Sequence, residues 1–185
     1  MKINITRPKK NDMSELEELF SLSISGAFQE DGVDDPIGIK SEVENQMESL
    51  EQGFTAKTEK PFYLIARAGD KIIGTIAYKE ASQLISENCE IDLKGIPEIV
   101  SVYIHPDFQG KGVGSLLFNQ ILVCLLHKNI GQFCLDSGYK RAQIFWTTKL
   151  GTPTINLKDY WGKGGDHLIW IRNLNEIEIK YDLTK

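Results

Sequence analysis

The sequence predicts a mixed α/β (α+β) fold, a central sheet flanked by helices, on three observations. Residues 99–104 (IVSVYI) are β-branched and aromatic apart from Ser101, which suits a mostly buried strand. A glycine-bearing loop at 109–115 joins that strand to an apolar helix over 116–126. Strand and helix patterns fill the rest of the chain in the order β-α-α-β-β-β-α-β-α-β-β.

The elements follow one another with clear punctuation. Residues 2–7 alternate around Ile3 and Ile5 as a first strand, and Pro8 stops it. Asp12 and Glu15 have the spacing of a capping box. Met13, Leu16, Leu19, Phe20 and Ile24 then recur at helical spacing to about residue 26. Residues 29–36 are an acidic loop, and a second helix carries Ile39, Val43, Met47 and Leu50 on one face. Residues 62–67 and 72–79 are strands about the turn Ala68-Gly69-Asp70-Lys71. Residues 81–97 are mixed and polar and read as a loop. After the 116–126 helix, Asn129-Ile130-Gly131 is a stop, and 132–136 is a strand. A helix over 138–150 has Ala142, Phe145, Trp146 and Leu150 as its apolar stripe and ends at Gly151. Residues 153–160 and 167–172 read as the last strands, joined through Gly162-Lys163-Gly164-Gly165, and a charged tail follows from Asn173.

Composition bounds the function. A chain of 185 residues, 41% hydrophobic and 25% charged, fits a single domain over 1–185. A net charge of -5 argues against a nucleic-acid partner, which calls for a basic face. No apolar leader or membrane-length run is seen, so no membrane partner and a cytoplasmic setting are expected. Cys89, Cys124 and Cys134 are scattered with no C-x-x-C pair, so neither a metal site nor a disulfide framework is expected.

The loop after the central strand carries the chemistry. His105-Pro106-Asp107 ends the strand, and three glycines let the backbone curl and a ligand approach without meeting a Cβ. The loop opens a helix, so free N–H groups and the positive end of the dipole converge where a phosphate belongs. A Walker loop is excluded because Gly112 follows Gly110-Lys111 where Ser or Thr is required. A dinucleotide-binding G-x-G-x-x-G fails at Ser115. What fits is Q-x-x-G-x-G after a strand, at Gln109, Gly112 and Gly114.

That pattern resembles motif A of the GNAT N-acetyltransferase superfamily, and the order of elements resembles the GNAT fold over nearly the whole chain. The resemblance implies a mostly antiparallel mixed sheet whose middle strands splay apart. It also implies acetyl-CoA as co-substrate and transfer of the acetyl group, by direct attack in a ternary complex, to a primary amine of a small molecule or a protein. The pantetheine arm would pair with backbone groups of Val102, Tyr103 and Ile104, and Gln109, Gly110, Lys111, Gly112, Val113, Gly114 and Ser115 would hold the pyrophosphate. Many relatives dimerise, which makes a homodimer a further partner expectation.

Two catalytic positions follow from the resemblance. Glu98 begins the central strand at the same offset from the motif as the catalytic glutamate of histone-acetylating relatives. About 20 Å of extended chain separates it from Ile104, comparable with a pantetheine arm. It reads either as the base that strips the amine or as a strand-end carboxylate facing water. Many relatives carry an acid tyrosine in the helix after the splayed strand, but here that position is Trp146 or Thr147. Tyr139 is the substitute acid, or else a packing residue at a helix start. The acidic loop either selects a cationic amine or is a solvated connector. His105 reads as a turn residue and His167 as a surface one, while Tyr160-Trp161 either walls the acceptor pocket or packs. Two other readings stay open: a non-catalytic acyl-CoA-binding module on the same fold, and a nucleotide-binding protein of another fold.

Overall fold

The computed structural model describes residues 2–55 and 61–181, so the last four residues of the charged tail lie outside it. Among the described residues the strands are β1 (Ile3–Thr6), β2 (Phe62–Ala68), β3 (Lys71–Glu80), β4 (Pro97–Ile104), β5 (Gln132–Ser137), β6 (Ile155–Leu157) and β7 (His167–Asn173). They form one sheet in the order β1-β2-β3-β4-β5-β7-β6. Every neighbouring pair is antiparallel except β4 and β5. The helices are α1 (Met13–Glu30), α2 (Pro36–Thr55), α3 (Gln83–Asn88), α4 (Val113–His127) and α5 (Lys140–Leu150). The expected mixed, mostly antiparallel sheet flanked by helices is what the chain forms.

Both faces of the sheet are covered, which explains why β3 reads as a nearly continuous apolar run instead of an alternation. On one face Ile73, Ile76 and Tyr78 pack with Leu117, Ile121 and Leu125 of α4 and Trp146 of α5. On the other, Ile72 and Ala77 pack with Leu16, Leu19, Phe20 and Ile24 of α1 and Leu50 of α2. Full burial of each large apolar side chain contributes about 1.5–3 kcal/mol before entropy is subtracted.

A bulge in β4 decides which residue faces which layer. Ser101 has φ 53°, and the β3–β4 register shifts across it. Ile99 packs with the α4 layer and Val100 with the α1/α2 layer. Simple alternation would then send Tyr103 to the α4 layer. The extra residue reverses the phase, so Val102 and Ile104 face α4 while Tyr103 faces α1 and α2. Thr75 Oγ1 holds the bulge by donating to the Ser101 carbonyl at 2.7 Å.

Several expectations are corrected. The 81–97 segment is not all loop: Ser82 caps α3, its hydroxyl accepting from Ile85 N–H, and Ile85 is fully buried. One anchoring side chain in six residues leaves too little periodicity to be seen. The Asp12/Glu15 capping box does not form. Asp12 instead accepts from the Lys9 N–H at 2.8 Å and pairs with Arg67 at 2.6 Å. Glu15 accepts from the Ile72 N–H at 2.6 Å, so tertiary partners on the β2–β3 hairpin claim both carboxylates. Helix α1 runs four residues past the expected end because its stop is Gly32, with φ 72°, and not Gly26. Strand β6 is three residues long, since Asp159, at φ 53°, begins a loop tied by its own carboxylate to the Gly164 N–H.

Gly74 sits where β3, β4 and α4 meet. A Cβ there would lie 2.7 Å from Ile104 Cδ1, 3.1 Å from Leu117 Cδ1 and 3.1 Å from the Tyr103 carbonyl oxygen. The side chains can move but the carbonyl cannot. Gly74→Ala is therefore expected to cost about 1–3 kcal/mol in thermal or denaturant unfolding. An unchanged midpoint would contradict this packing.

Candidate active site

Strands β4 and β5 share one rung, Glu98 opposite Cys134, and then part. The gap opens into a cleft of about 410 Å³. Val102, Tyr103 and Ile104 form one wall, and Tyr139, Ala142 and Phe145, at the exit of β5 and on α5, form the other. The His105 N–H bonds the Ile73 carbonyl, so that residue faces β3. By alternation Tyr103 also turns its backbone to β3, and Val102 and Ile104 turn theirs to the cleft. The Ile104 carbonyl already accepts from Ser23 Oγ at 3.2 Å and Gln109 Nε2 at 3.1 Å.

The loop is built as the sequence leads one to expect. His105 Nδ1 accepts from the Asp107 N–H at 3.2 Å and caps a short turn over Pro106–Phe108, the turn role expected of it. Gly110 and Gly112 have φ 70° and 85° with open space at their Cβ positions. Gly112 is the N-cap of α4 and supplies no side chain to it. The N–H groups of Val113, Gly114 and Ser115 therefore lack intrahelical partners and open toward the cleft these residues line. Gln109, Gly110 and Gly112 line it too. Lys111 does not. It is exposed, with Nζ 5.3 Å from the centre of the Phe108 ring.

The ends of α1 and α5 bridge the mouth of the cleft. Arg141 pairs with Glu30, and the Lys140 N–H donates to Asp31 Oδ2 at 3.3 Å. Tyr139 packs on Phe28 with ring centres 5.9 Å apart. Burial, together with the Glu42 and Asp31 carboxylates, pushes the Tyr139 phenol well up, so it keeps its proton at neutral pH. Trp146 is buried on Phe118 and Phe145, in the core.

Glu98 lies at the closed end of the gap and off the cleft wall. It does not face water: it is 3% exposed, and Oε2 accepts from the Ser82 N–H at 2.6 Å. Burial, and then the Asp136 carboxylate, push its carboxyl up to about 7, against the pull of Lys79 and the Ser82 hydrogen bond. A group so poised takes and gives protons near neutrality.

Side chains beyond those expected also meet here. Tyr103 was expected only through its backbone, yet its Oη donates to Glu42 Oε1 at 2.9 Å. Ser101 Oγ donates to Gln46 Oε1 at 2.6 Å and lies 3.1 Å from Tyr63 Oη, which reaches Ser49 at 2.9 Å. The one signal of this network was a serine in an otherwise apolar strand. His167 corrects the surface reading, being 5% exposed, with Nε2 3.3 Å from Asp136 Oδ2. Among the described residues no group of three or more His, Cys, Asp or Glu is placed to hold a metal ion. No described helix is long and apolar enough to cross a membrane.

The family model for the GNAT acetyltransferases matches residues 30–157. A search of curated proteins finds no match. Solved structures of similar fold include the PaiA N-acetyltransferase of Thermoplasma acidophilum in complex with coenzyme A, 17% identical with a TM-score of 0.69, covering 94% of this chain and 99% of that one. The yncA protein of Salmonella typhimurium, with its cofactor acetyl-CoA, is 18% identical with a TM-score of 0.66, covering 99% of both chains. The ribosomal-protein-alanine N-acetyltransferase of Brucella melitensis is 16% identical with a TM-score of 0.65, covering 92% of this chain and 99% of that one. At these identities the likeness is one of fold.

The poise of Glu98 predicts a pH-dependent stability. Folded, it holds its proton to about pH 7; unfolded, it releases it near 4.5. Between those values the folded chain binds more protons than the unfolded one, so the contribution of this group falls as pH rises through that window. Glu98→Gln lacks that loss and still accepts from Ser82. Its stability relative to the parent should rise by about 3 kcal/mol from pH 4.5 to above pH 7. Parallel denaturation curves at both ends would contradict the buried, protonated Glu98.

Proposed function

The chain belongs to the GNAT acetyltransferase family, and on that premise we propose that it transfers the acetyl group of acetyl-CoA to a primary amine of a small molecule or a protein. The single observation that carries this reading is the cleft between β4 and β5, into which the start of α4 turns N–H groups without intrahelical partners, with the buried Glu98 at the rung where the two strands part.

Acetyl-CoA supplies the activated acyl group, and the rest falls to the protein. The N–H groups of Val113, Gly114 and Ser115, with the α4 dipole, suit the pyrophosphate, and Gly110 and Gly112 leave it room. Gln109 completes the loop, and the exposed Lys111 adds charge at its rim. The backbone of Val102 and Ile104 borders the pantetheine arm, with Tyr103 between them. A cleft-facing N–H of this strand meets the developing oxyanion. The amine attacks the thioester carbon in a ternary complex, and Glu98 takes its proton. The carbon–sulfur bond then breaks, and Tyr139 protonates the departing thiolate. The products are the acetamide and CoA.

The solved neighbours described with CoA or acetyl-CoA support the co-substrate, and the ribosomal-protein acetyltransferase among them makes a protein amine an acceptor class to screen. The same reading covers a single catalytic unit acting in the cytoplasm and a homodimer. A non-catalytic acyl-CoA-binding module is the second reading, favoured by one observation: the usual acid position falls on the buried Trp146 or on Thr147, neither of them a phenol.

Thiol release from acetyl-CoA with an amine panel separates the two. Glu98→Gln should lower kcat about 10²–10⁴-fold below the pKa of the amine while CoA binding is kept, and Tyr139→Phe should lower kcat with little change in KM for acetyl-CoA. Absence of turnover with small amines and peptides, together with CoA binding, would favour the binding module. Full rate in Glu98→Gln at every pH would remove its role as base.

A further inference from the structure

One buried cluster is not used by the mechanism above. Cys134 and Asp136 are two residues apart on β5 and share its face away from α4, since Phe133 and Leu135 pack with the α4 layer. Glu98 is opposite Cys134 and also points away from α4, because Ile99 packs toward it. Asp136 therefore stands one step along from Glu98, on the same face, where the strands part. From β7, His167 brings Nε2 to 3.3 Å from Asp136 Oδ2, and that buried nitrogen has no hydrogen-bond partner among the described residues.

The other side of the ring is fixed. Trp161 Nε1 lies 3.0 Å from His167 Nδ1, and an indole nitrogen can only donate. Nδ1 therefore accepts, and Nε2 is left to face Asp136. The contact is built in: a Cβ at Gly138 would lie 2.7 Å from Trp161 Nε1 and 3.2 Å from His167 Nδ1. An indole 64% exposed is thus held by a buried imidazole at the price of a glycine in the chain beneath it.

We infer that Trp161, His167 and Asp136 form a positioning chain that holds the Asp136 carboxylate beside Glu98 and so raises the pH at which Glu98 exchanges its proton. The Trp161 N–H fixes the His167 ring, and Nε2 of that ring faces the Asp136 carboxylate. Among the described residues the charged and titratable groups around Glu98 are few. They are Lys79 of β3, Asp136 of β5, and Cys134, whose thiol burial pushes up to about 12 and which stays neutral. The backbone N–H of Ser82 donates from the turn before α3. Around His167 are Asp136, Trp161 and the Tyr160 ring, 5.5 Å away.

The inference rests on Glu98 being the base, so its test reads the carboxyl directly and needs no acceptor. In protein labelled with ¹³C at glutamate Cδ, the Glu98 resonance is assigned by its loss in Glu98→Gln and titrated by NMR. The parent should titrate at about 7. Asp136→Asn and Trp161→Phe should each lower that midpoint by about one pH unit. An unmoved midpoint in Asp136→Asn overturns the inference. A midpoint that moves in Asp136→Asn but not in Trp161→Phe removes Trp161 and His167 from the chain and overturns it as stated. If instead the midpoints move as expected and Glu98→Gln keeps the parent pH–rate profile, the chain stands and the assignment of Glu98 as base falls.

Discussion

The parting of β4 from β5 is the constraint on which the rest depends. A parallel pair that closes at one rung leaves a strand edge open inside the protein, where backbone N–H and C=O groups need partners. Side chains serve the Ile104 carbonyl, from Ser23 and Gln109. The remaining edge has the character of a place for an extended ligand to add as a strand. The helix that follows β4 starts at the mouth of the same gap, with its unpaired N–H groups. One topological event thus brings an edge that wants a strand next to a helix end that wants an anion.

The bulge at Ser101 divides the labour between the two faces of β4. Because it reverses the alternation, Val102 and Ile104 turn toward α4 and the helix-end site, while Tyr103 turns to Glu42 and the network of Gln46, Ser49 and Tyr63. Glu98 and Asp136 look away from α4 as well. The start of α4 and the Glu98–Asp136 pair therefore sit on opposite sides of one strand. A serine in the left-handed region costs of order 1 kcal/mol, and here Thr75 and Gln46 hold it.

What could be read from the sequence was what is local. The strand, the glycine loop and the start of α4 are contiguous, and the residues from Gln109 to Ser115 form the loop they spell. The hairpin at Gly69 and the helix stop at Gly151 are local too. What escaped was decided across the chain. Glu15 has the spacing of a capping residue, yet the Ile72 N–H takes its carboxylate. His167 sits beside a glycine turn like a surface residue, yet the pairing of β5 with β7 and the fold of the 158–166 loop bury it between Asp136 and Trp161. The bond from the Tyr103 side chain to Glu42 was not legible because one residue of bulge is invisible to a period-two reading.

The most direct measurement of the central claim is the melting temperature of the chain with CoA, acetyl-CoA, ATP and NAD, each in excess. A ligand at a hundred times its Kd adds about 2.7 kcal/mol, a rise of about 5–10 °C for a domain of this size. The account predicts that rise with CoA and acetyl-CoA and none with NAD or ATP. No rise with either CoA species, or an equal rise with NAD, would contradict the assignment of the β4–β5 cleft to acyl-CoA.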